Sequence, residues 1–169
     1  MNCYFSGGCF WCITPTFYEI NGVRKVISGF SGGDEVNPTY LDVKKGLTHH
    51  RETIKIDYDE NLVSFKELLE VFLGSVDLFD GGGQFIDRGH SYTLAVYYQN
   101  ENEKDTTFSL LGEIEEKVGK KAMVSVEAFK SFYEAESEHQ DYFKKNPKEF
   151  NEELIKSGRK NRRKPWERL

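Results

Sequence analysis

The sequence predicts a fold of mixed α and β structure, on three observations. Strand-like stretches and stretches with apolar residues at helical spacing follow one another along the chain. No repeat, low-complexity segment or linker divides them. The 169 residues are 38% hydrophobic and 30% charged, a globular composition on a chain long enough to bury its own core.

The elements can be read in order. "NCYFSGG" (2–8) is a short apolar run ending at glycines and reads as a buried strand. Helical character follows, with Ile13, Phe17 and Ile20 on one side. "RKVISGFSGG" (24–33) reads as a strand ending in a glycine-rich bend. In "HRETIKIDYD" (50–59), Thr53, Lys55 and Asp57 alternate with Ile54, Ile56 and Tyr58, the period of a half-buried strand. Ser64 and Glu67 form a capping box ahead of an apolar stripe of Phe65, Leu68, Leu69, Phe72 and Leu73, with Gly74 at the far end. "FDGGGQFIDRGHS" (79–91) is a long glycine-rich loop of the kind that carries function on a scaffold. "SYTLAVYY" (91–98) is rich in strand formers. Residues 101–118 form an amphipathic helix through Phe108, Leu111, Ile114 and Val118 that stops at Gly119. "MVSVEAF" (123–129) is a further strand, and "ESEHQDYFKKNP" (136–147) a last helix ending near Pro147, in which His139 is structural.

Charge is unevenly spread. The net charge is −5, but "GRKNRRKPWERL" (158–169) holds six basic residues and one acidic one, which leaves −10 on residues 1–157. An acidic body argues against nucleic acid as the main partner. Residues 1–157 are read as one catalytic domain. The stretch 158–169 is read as a solvated basic tail in which Trp166 docks on the body. No apolar run approaches the roughly 18 residues of a membrane helix, and no basic stretch leads into a long apolar one, so neither a membrane span nor an export signal is expected. All three cysteines precede residue 13 and cannot staple the fold, which favours a reducing, cytoplasmic setting where cysteines are more often catalytic or metal-binding.

The chemistry centres on "SGGCFWCITP" (6–15). Three readings of Cys9 and Cys12 compete: redox or nucleophilic chemistry, a metal knuckle, and inert burial. No second cysteine pair exists, and His49 and His50 point to opposite faces, so zinc is disfavoured. A thiolate is the reactive form, and a helix N-terminus lowers a thiol's pKa; Cys9 follows a strand and a glycine turn and faces such an end. The helix begins either at Phe10, with Pro15 removing one hydrogen bond inside it, or at Pro15 behind Thr14. Cys12 is close enough to attack an oxidised Cys9. The spacer Phe10-Trp11 puts two rings beside the nucleophile, which fits an apolar pocket for a substrate group with Cys9 as its floor. A general thiol–disulfide oxidoreductase, or a peptide-binding module with incidental thiols, stands as the alternative.

"GGCFWC", "GFSGGDEVNPTY", "THHRETIKIDYD" and "GGGQFIDRGHSY", in this order and followed by "FYEAESEHQDYFKKNP", resemble the peptide methionine sulfoxide reductase A family over about residues 3–150. The resemblance implies an α+β, ferredoxin-like mixed sheet flanked by helices, with long functional loops. It implies reduction of the S epimer of methionine sulfoxide, free or in proteins; the leading reading is a monomeric cytoplasmic repair enzyme for oxidised methionine, with no cofactor and no metal. By position, Cys9 matches the nucleophile, Phe10 and Trp11 the pair that cradles the substrate methyl, and Glu52 the acid. Tyr40 and Tyr92 match the phenols that hold the sulfoxide oxygen, and Asp87 a polar member of the site. Attack would leave Cys9 as sulfenic acid, Cys12 would condense with it to a disulfide, and thioredoxin or a similar thiol reductant would reopen it. Taken alone, Glu52 reads as a solvated strand carboxylate, Tyr40 as packing, and Asp87 as half of a surface pair with Arg88.

Four positions depart from the family pattern: His49 stands for glycine, Phe30 and Phe85 for tyrosines, and Ser91 for glutamine. No cysteine follows Cys12, which leaves Cys12 as the resolving thiol ahead of Cys3, a buried strand residue.

Overall fold

A six-stranded sheet organises the chain, and the computed structural model describes residues 1–159. The expectations for residues 160–169, the docking of Trp166 among them, lie outside the described residues. In chain order the elements are β1 (Asn2–Gly7), α1 (Phe10–Ile13), α2 (Pro15–Tyr18), β2 (Val23–Ser31), α3 (Tyr40–Lys44), β3 (Arg51–Tyr58) and α4 (Phe65–Ser75). A small hairpin, β4 (Gly83–Gln84) and β5 (Asp87–Arg88), and a 3₁₀ turn at His90–Tyr92 follow. Then come β6 (Leu94–Tyr98), α5 (Glu101–Val118), β7 (Val124–Ala128), β8 (Tyr133–Glu134), a 3₁₀ turn at Ser137–His139, α6 (Tyr142–Lys145) and α7 (Pro147–Ser157).

The strand order is β7-β6-β1-β3-β2-β8. Neighbours are antiparallel except β6 and β7, which run parallel because the 18-residue α5 carries the chain from the end of one to the start of the other. β3 lies between β1 and β2 and antiparallel to both, with β6 on the far side of β1. That is the split βαβ arrangement of ferredoxin-like folds.

Register sets the core. Phe5 pairs with Ile54 and Cys3 with Ile56, so one sheet face is apolar and receives α1, α2, α4 and α5. From α4, Phe65, Leu68, Leu69, Phe72 and Leu73 are all buried, each contributing roughly 1.5–3 kcal/mol. The capping box closes in both directions: the Glu67 N–H donates to Ser64 Oγ at 3.1 Å and the Ser64 N–H to Glu67 Oε2 at 2.7 Å. The helix runs to Ser75, which puts Gly74 inside its last turn. On the opposite face Tyr4, Ala95 and Tyr97 pack with Phe129 and Phe132. Beside them Arg51 reaches Thr93 Oγ1 (2.8 Å), the Tyr97 hydroxyl (3.2 Å) and Glu127 Oε2 (2.7 Å). β3 is therefore covered on both faces at its N-terminal end, where alternation predicts one wet face.

Two helices differ from the sequence reading. α5 has the expected bounds and ends at Gly119 in the left-handed region (φ 74°), but Phe108 is exposed. Leu111 and Ile114 are buried and Val118 packs against the core as expected, while Glu103, Thr107 and Leu110 complete the buried face in place of Phe108. Thr107 tolerates burial because its hydroxyl donates to Glu103 O at 2.7 Å. The single helix expected over 136–147 breaks into a 3₁₀ turn and α6, separated by Asp141 in the left-handed region (φ 53°). Pro147 then opens α7 at the one helical position where its missing N–H costs nothing. Between those pieces the Gln140 side chain behaves like strand backbone: its Oε1 accepts from the Ser28 N–H (2.9 Å), and its Nε2 donates to Ser28 O (2.8 Å) and Ala135 O (3.0 Å). It continues the β2–β8 pairing beyond the last residue of β8.

Candidate active site

Cys9 stands between β1 and α1. Gly8 turns the chain at φ 83°, and Cys9 forms the N-cap of α1, its carbonyl accepting from the Cys12 and Ile13 N–H groups (3.1 and 3.3 Å). Neither starting point considered for the helix is right alone. α1 ends after four residues because Pro15 offers no N–H, and α2 restarts there, while the Thr14 hydroxyl donates back to Phe10 O at 2.6 Å. The expectation that a helix terminus depresses the Cys9 pKa is overturned. Four residues carry little dipole, and a hydrogen bond to the Cys12 side chain, then burial, then the charges of Cys12 and Asp87 push the Cys9 thiol well above the ordinary range. Cys9 and Cys12 are each 7% exposed and unbridged.

Glu52 is not a solvated carboxylate. It lies opposite Phe30 in the β2–β3 ladder, on the face of Ile54, and is 3% exposed. Burial first, then the proximity of Cys9 and Asp87, raise its pKa well above the carboxylate range, against a weaker pull from the Phe10 N–H and Lys44. Glu52 is thus an acid that keeps its proton, with Cys9 as a neighbour. The period-two count already puts residue 52 with Ile54 and Ile56, a signal the reading of Glu52 as a surface group passes over.

Aromatic rings surround this pair. Phe10 is fully buried, with ring centroids 5.9 Å from Phe30 and 6.1 Å from Tyr40. Trp11 is half-buried and stacks on Tyr142 at 4.0 Å, while Tyr40 lies 4.1 Å from the His139 ring. Tyr40 is set by the capping box of α3, in which the Asp42 N–H donates to Thr39 Oγ1 and the Thr39 N–H to Asp42 Oδ2 (3.2 and 3.3 Å). His139, buried and held neutral by that burial, forms part of the cage wall, and so does Tyr142. Neither contribution is visible in sequence, because both sit where one continuous helix was expected.

The glycine-rich loop supplies the remaining wall. Gln84 is buried and staples it, accepting from the Asp77 N–H (2.7 Å) and donating to Asp77 O (2.8 Å). Arg88 pairs with Asp80 through two contacts (2.6 and 2.8 Å), so Asp87 is not its partner. Asp87 is half-buried instead, with its pKa raised by burial and then by Glu153, while Arg159 and Lys44 oppose. Tyr92 closes the 3₁₀ turn, its N–H donating to Gly89 O at 3.1 Å. Burial and then the Glu52 charge lift the pKa of both Tyr40 and Tyr92, which makes them neutral phenol donors. The substitution at residue 49 leaves its mark outside the cage. The His49 ring is exposed and meets Glu35 at 2.7 Å, whereas His50 is buried between the Gly33 N–H and Glu35 O.

Among the described residues, seven buried side-chain atoms lack a hydrogen-bond partner. Glu52 Oε2, Asp87 Oδ2, Trp11 Nε1 and His139 Nδ1 belong to this cage, and Arg159 Nε to its rim. Buried polar groups are nearly always paired, so the concentration marks a place built for a polar ligand. One described group brings three metal-ligand atoms within 4.8 Å, Glu136, Glu138 and His139; both carboxylates are exposed.

The family model described as peptide methionine sulfoxide reductase matches residues 1–169. MsrA of Bacillus velezensis is 41% identical over 157 residues, covering 92% of this chain and 89% of its own, and MsrA of Bacillus subtilis is 40% identical over the same shares. Among solved structures, methionine sulfoxide reductase A of Corynebacterium diphtheriae superposes with a TM-score of 0.78 at 28% identity, covering 86% of this chain and 74% of that one. Reduced Mxr1 of Saccharomyces cerevisiae shares the fold with a TM-score of 0.82 at 24% identity, over 88% and 86%. By whole-length match and by identity, the chain belongs to the peptide methionine sulfoxide reductases and is an enzyme of methionine sulfoxide reduction.

Proposed function

We propose that the chain reduces the S epimer of methionine sulfoxide with Cys9 as nucleophile, Glu52 as acid and Cys12 as resolving thiol. A sulfoxide yields to thiol attack only when its oxygen gains a proton. Glu52, kept protonated by burial, supplies that proton, and the neutral phenols of Tyr40 and Tyr92 donate to the same oxygen. Asp87 completes the polar side of the site. As the oxygen passes to Cys9 Sγ, the S–O bond of the substrate breaks, methionine leaves, and the Cys9 thiol proton returns to Glu52. Cys9 is then a sulfenic acid, the two electrons having passed to the substrate sulfur. Cys12 attacks it, releases water and forms the Cys9–Cys12 disulfide, which an external dithiol reopens. Phe10 and Trp11 receive the methyl group, so methyl and oxygen are held on different walls and one epimer fits.

The observation that carries this reading is the convergence of unpaired Glu52 Oε2 and Asp87 Oδ2 on a cage that also holds Cys9. Mxr1 has been solved in complex with Trx2, and we infer a thioredoxin as the physiological dithiol here, acting on a monomer in the reducing cytoplasm. Incubation of racemic methionine sulfoxide with protein and dithiothreitol, followed by chiral analysis, should consume the S form and leave the R form; equal loss of both would refute the assignment. Cys12→Ser should retain one turnover and hold a Cys9 sulfenic acid that a dimedone probe traps, whereas a disulfide still forming on Cys9 would remove Cys12 from its role.

A further inference from the structure

The C-terminal basic stretch begins inside the site. α7 ends at Gly158, whose φ of 78° reverses the chain, and Arg159 turns back towards β1. Its Nη2 donates to Gly7 O at 3.3 Å, two residues before Cys9, and its guanidinium lies 4.6 Å from the centre of the Phe85 ring, two residues before Asp87. The space it occupies exists because residue 8 is glycine: a Cβ there would stand 2.8 Å from Arg159 Nη2. Arg159 also lines, with Cys12 and Leu154, the cavity behind α1. Its buried Nε has no partner, so the fold holds a charged donor unspent at the rim of the cage.

The groups gathered around Cys9 are mostly acidic. Around Cys9 stand Glu52 from β3, Asp87 from β5, Cys12 from α1, and the phenols of Tyr40 (α3), Tyr92 (3₁₀ turn) and Tyr142 (α6). Of these, Cys12 and Asp87, together with burial, disfavour a negative charge on sulfur. Lys44 of α3 acts on Glu52 and Asp87, and Glu153 of α7 adds a further negative field at Asp87.

We propose that Arg159 is a positioning residue of the reaction: seated on Gly7 and Phe85, it closes the back of the cage and supplies the positive charge that lets Cys9 exist as a thiolate there. Its field opposes the other groups at both Cys9 and Asp87. The role applies twice in the cycle, when Cys9 attacks and when it leaves the Cys9–Cys12 disulfide. It adds to the assignment of Cys9 as nucleophile and rests on it.

The test follows the rate of Cys9 alkylation by iodoacetamide against pH, resolved from Cys12 by tandem mass spectrometry, in wild type, Arg159→Gln, Arg159→Lys and Arg162→Gln. Since only the thiolate reacts, Arg159→Gln should move the midpoint up by about one pH unit, a roughly tenfold slower alkylation below both midpoints. Arg159→Lys should stay near wild type, as should Arg162→Gln, which removes a charge from the same stretch. An unmoved midpoint in Arg159→Gln, or an equal shift in Arg162→Gln, would overturn the proposal. Alkylation needs no sulfoxide, so failure of the sulfoxide reading would show separately, as a wild type that never turns over.

Discussion

At the scale of single residues, the protein holds a carboxylic acid in its active site where a hydrocarbon would be more stable. Glu52 is buried with an unpaired oxygen, and its folded pKa is raised. A carboxyl with a raised folded pKa stabilises the fold relative to its ionised form only while protonated: the contribution is complete below the unfolded pKa and disappears as pH climbs through the folded one. Glu52→Gln removes that dependence. It should raise stability at neutral and mildly alkaline pH by about 0.5–2 kcal/mol, with the gap closing towards pH 4, as melting curves across pH would record. The same substitution should lower kcat by about 10²–10⁴-fold, since an amide gives no proton. In wild type, turnover should fall on the alkaline side as Glu52 ionises. Loss of activity without the gain in stability would mean that Glu52 is not held as a buried acid.

At the scale of elements, the site depends on a reversal tighter than its helices. Gly8 has φ 83°, and a Cβ there would meet Gln84 Cβ at 2.7 Å. Gly8→Ala should therefore cost at least about 1–2 kcal/mol from backbone conformation alone, and displace Cys9 from Glu52. Chemical denaturation and kcat should both report it; a Gly8→Ala protein with wild-type kcat would show that the turn does not position Cys9. Elements governed by local rules were legible in the sequence. The Ser64–Glu67 box, the α4 stripe, the bounds of α5 and the strand at 51–58 rest on short-range spacing. The fragmentation at 136–147 was not, because Asp141 and Gln140 are fixed by distant partners, Tyr18 and Ser28. The cage followed the same division. Cys9, Phe10, Trp11 and Glu52 come from motifs with recognisable neighbours, whereas Tyr142 and Arg159 reach it only through tertiary packing.

At the scale of the molecule, the described residues contain no helix long and apolar enough to cross a membrane. The sheet has its central strands paired on both sides and its wall residues delivered from one end. Tyr40 arrives between β2 and β3, Asp87 and Tyr92 between α4 and β6, and His139 and Tyr142 after β8. β8 has only two residues, so two hydrogen bonds between the Gln140 side chain and Ser28 and the Ala135 N–H to Ser28 O bond (2.9 Å) add to its two backbone pairs in tying the segment that carries His139 and Tyr142 to the sheet. That side chain has a second consequence, for behaviour in concentrated solution. An uncovered strand edge is a template on which other chains can add. With glutamine replaced by alanine at 140, the Ser28 N–H would lose its acceptor while Ser28 O kept the Ala135 N–H (2.9 Å), and light scattering should register self-association before any fall in melting temperature. One side-chain amide thus takes the place of a strand residue on the open side of β2.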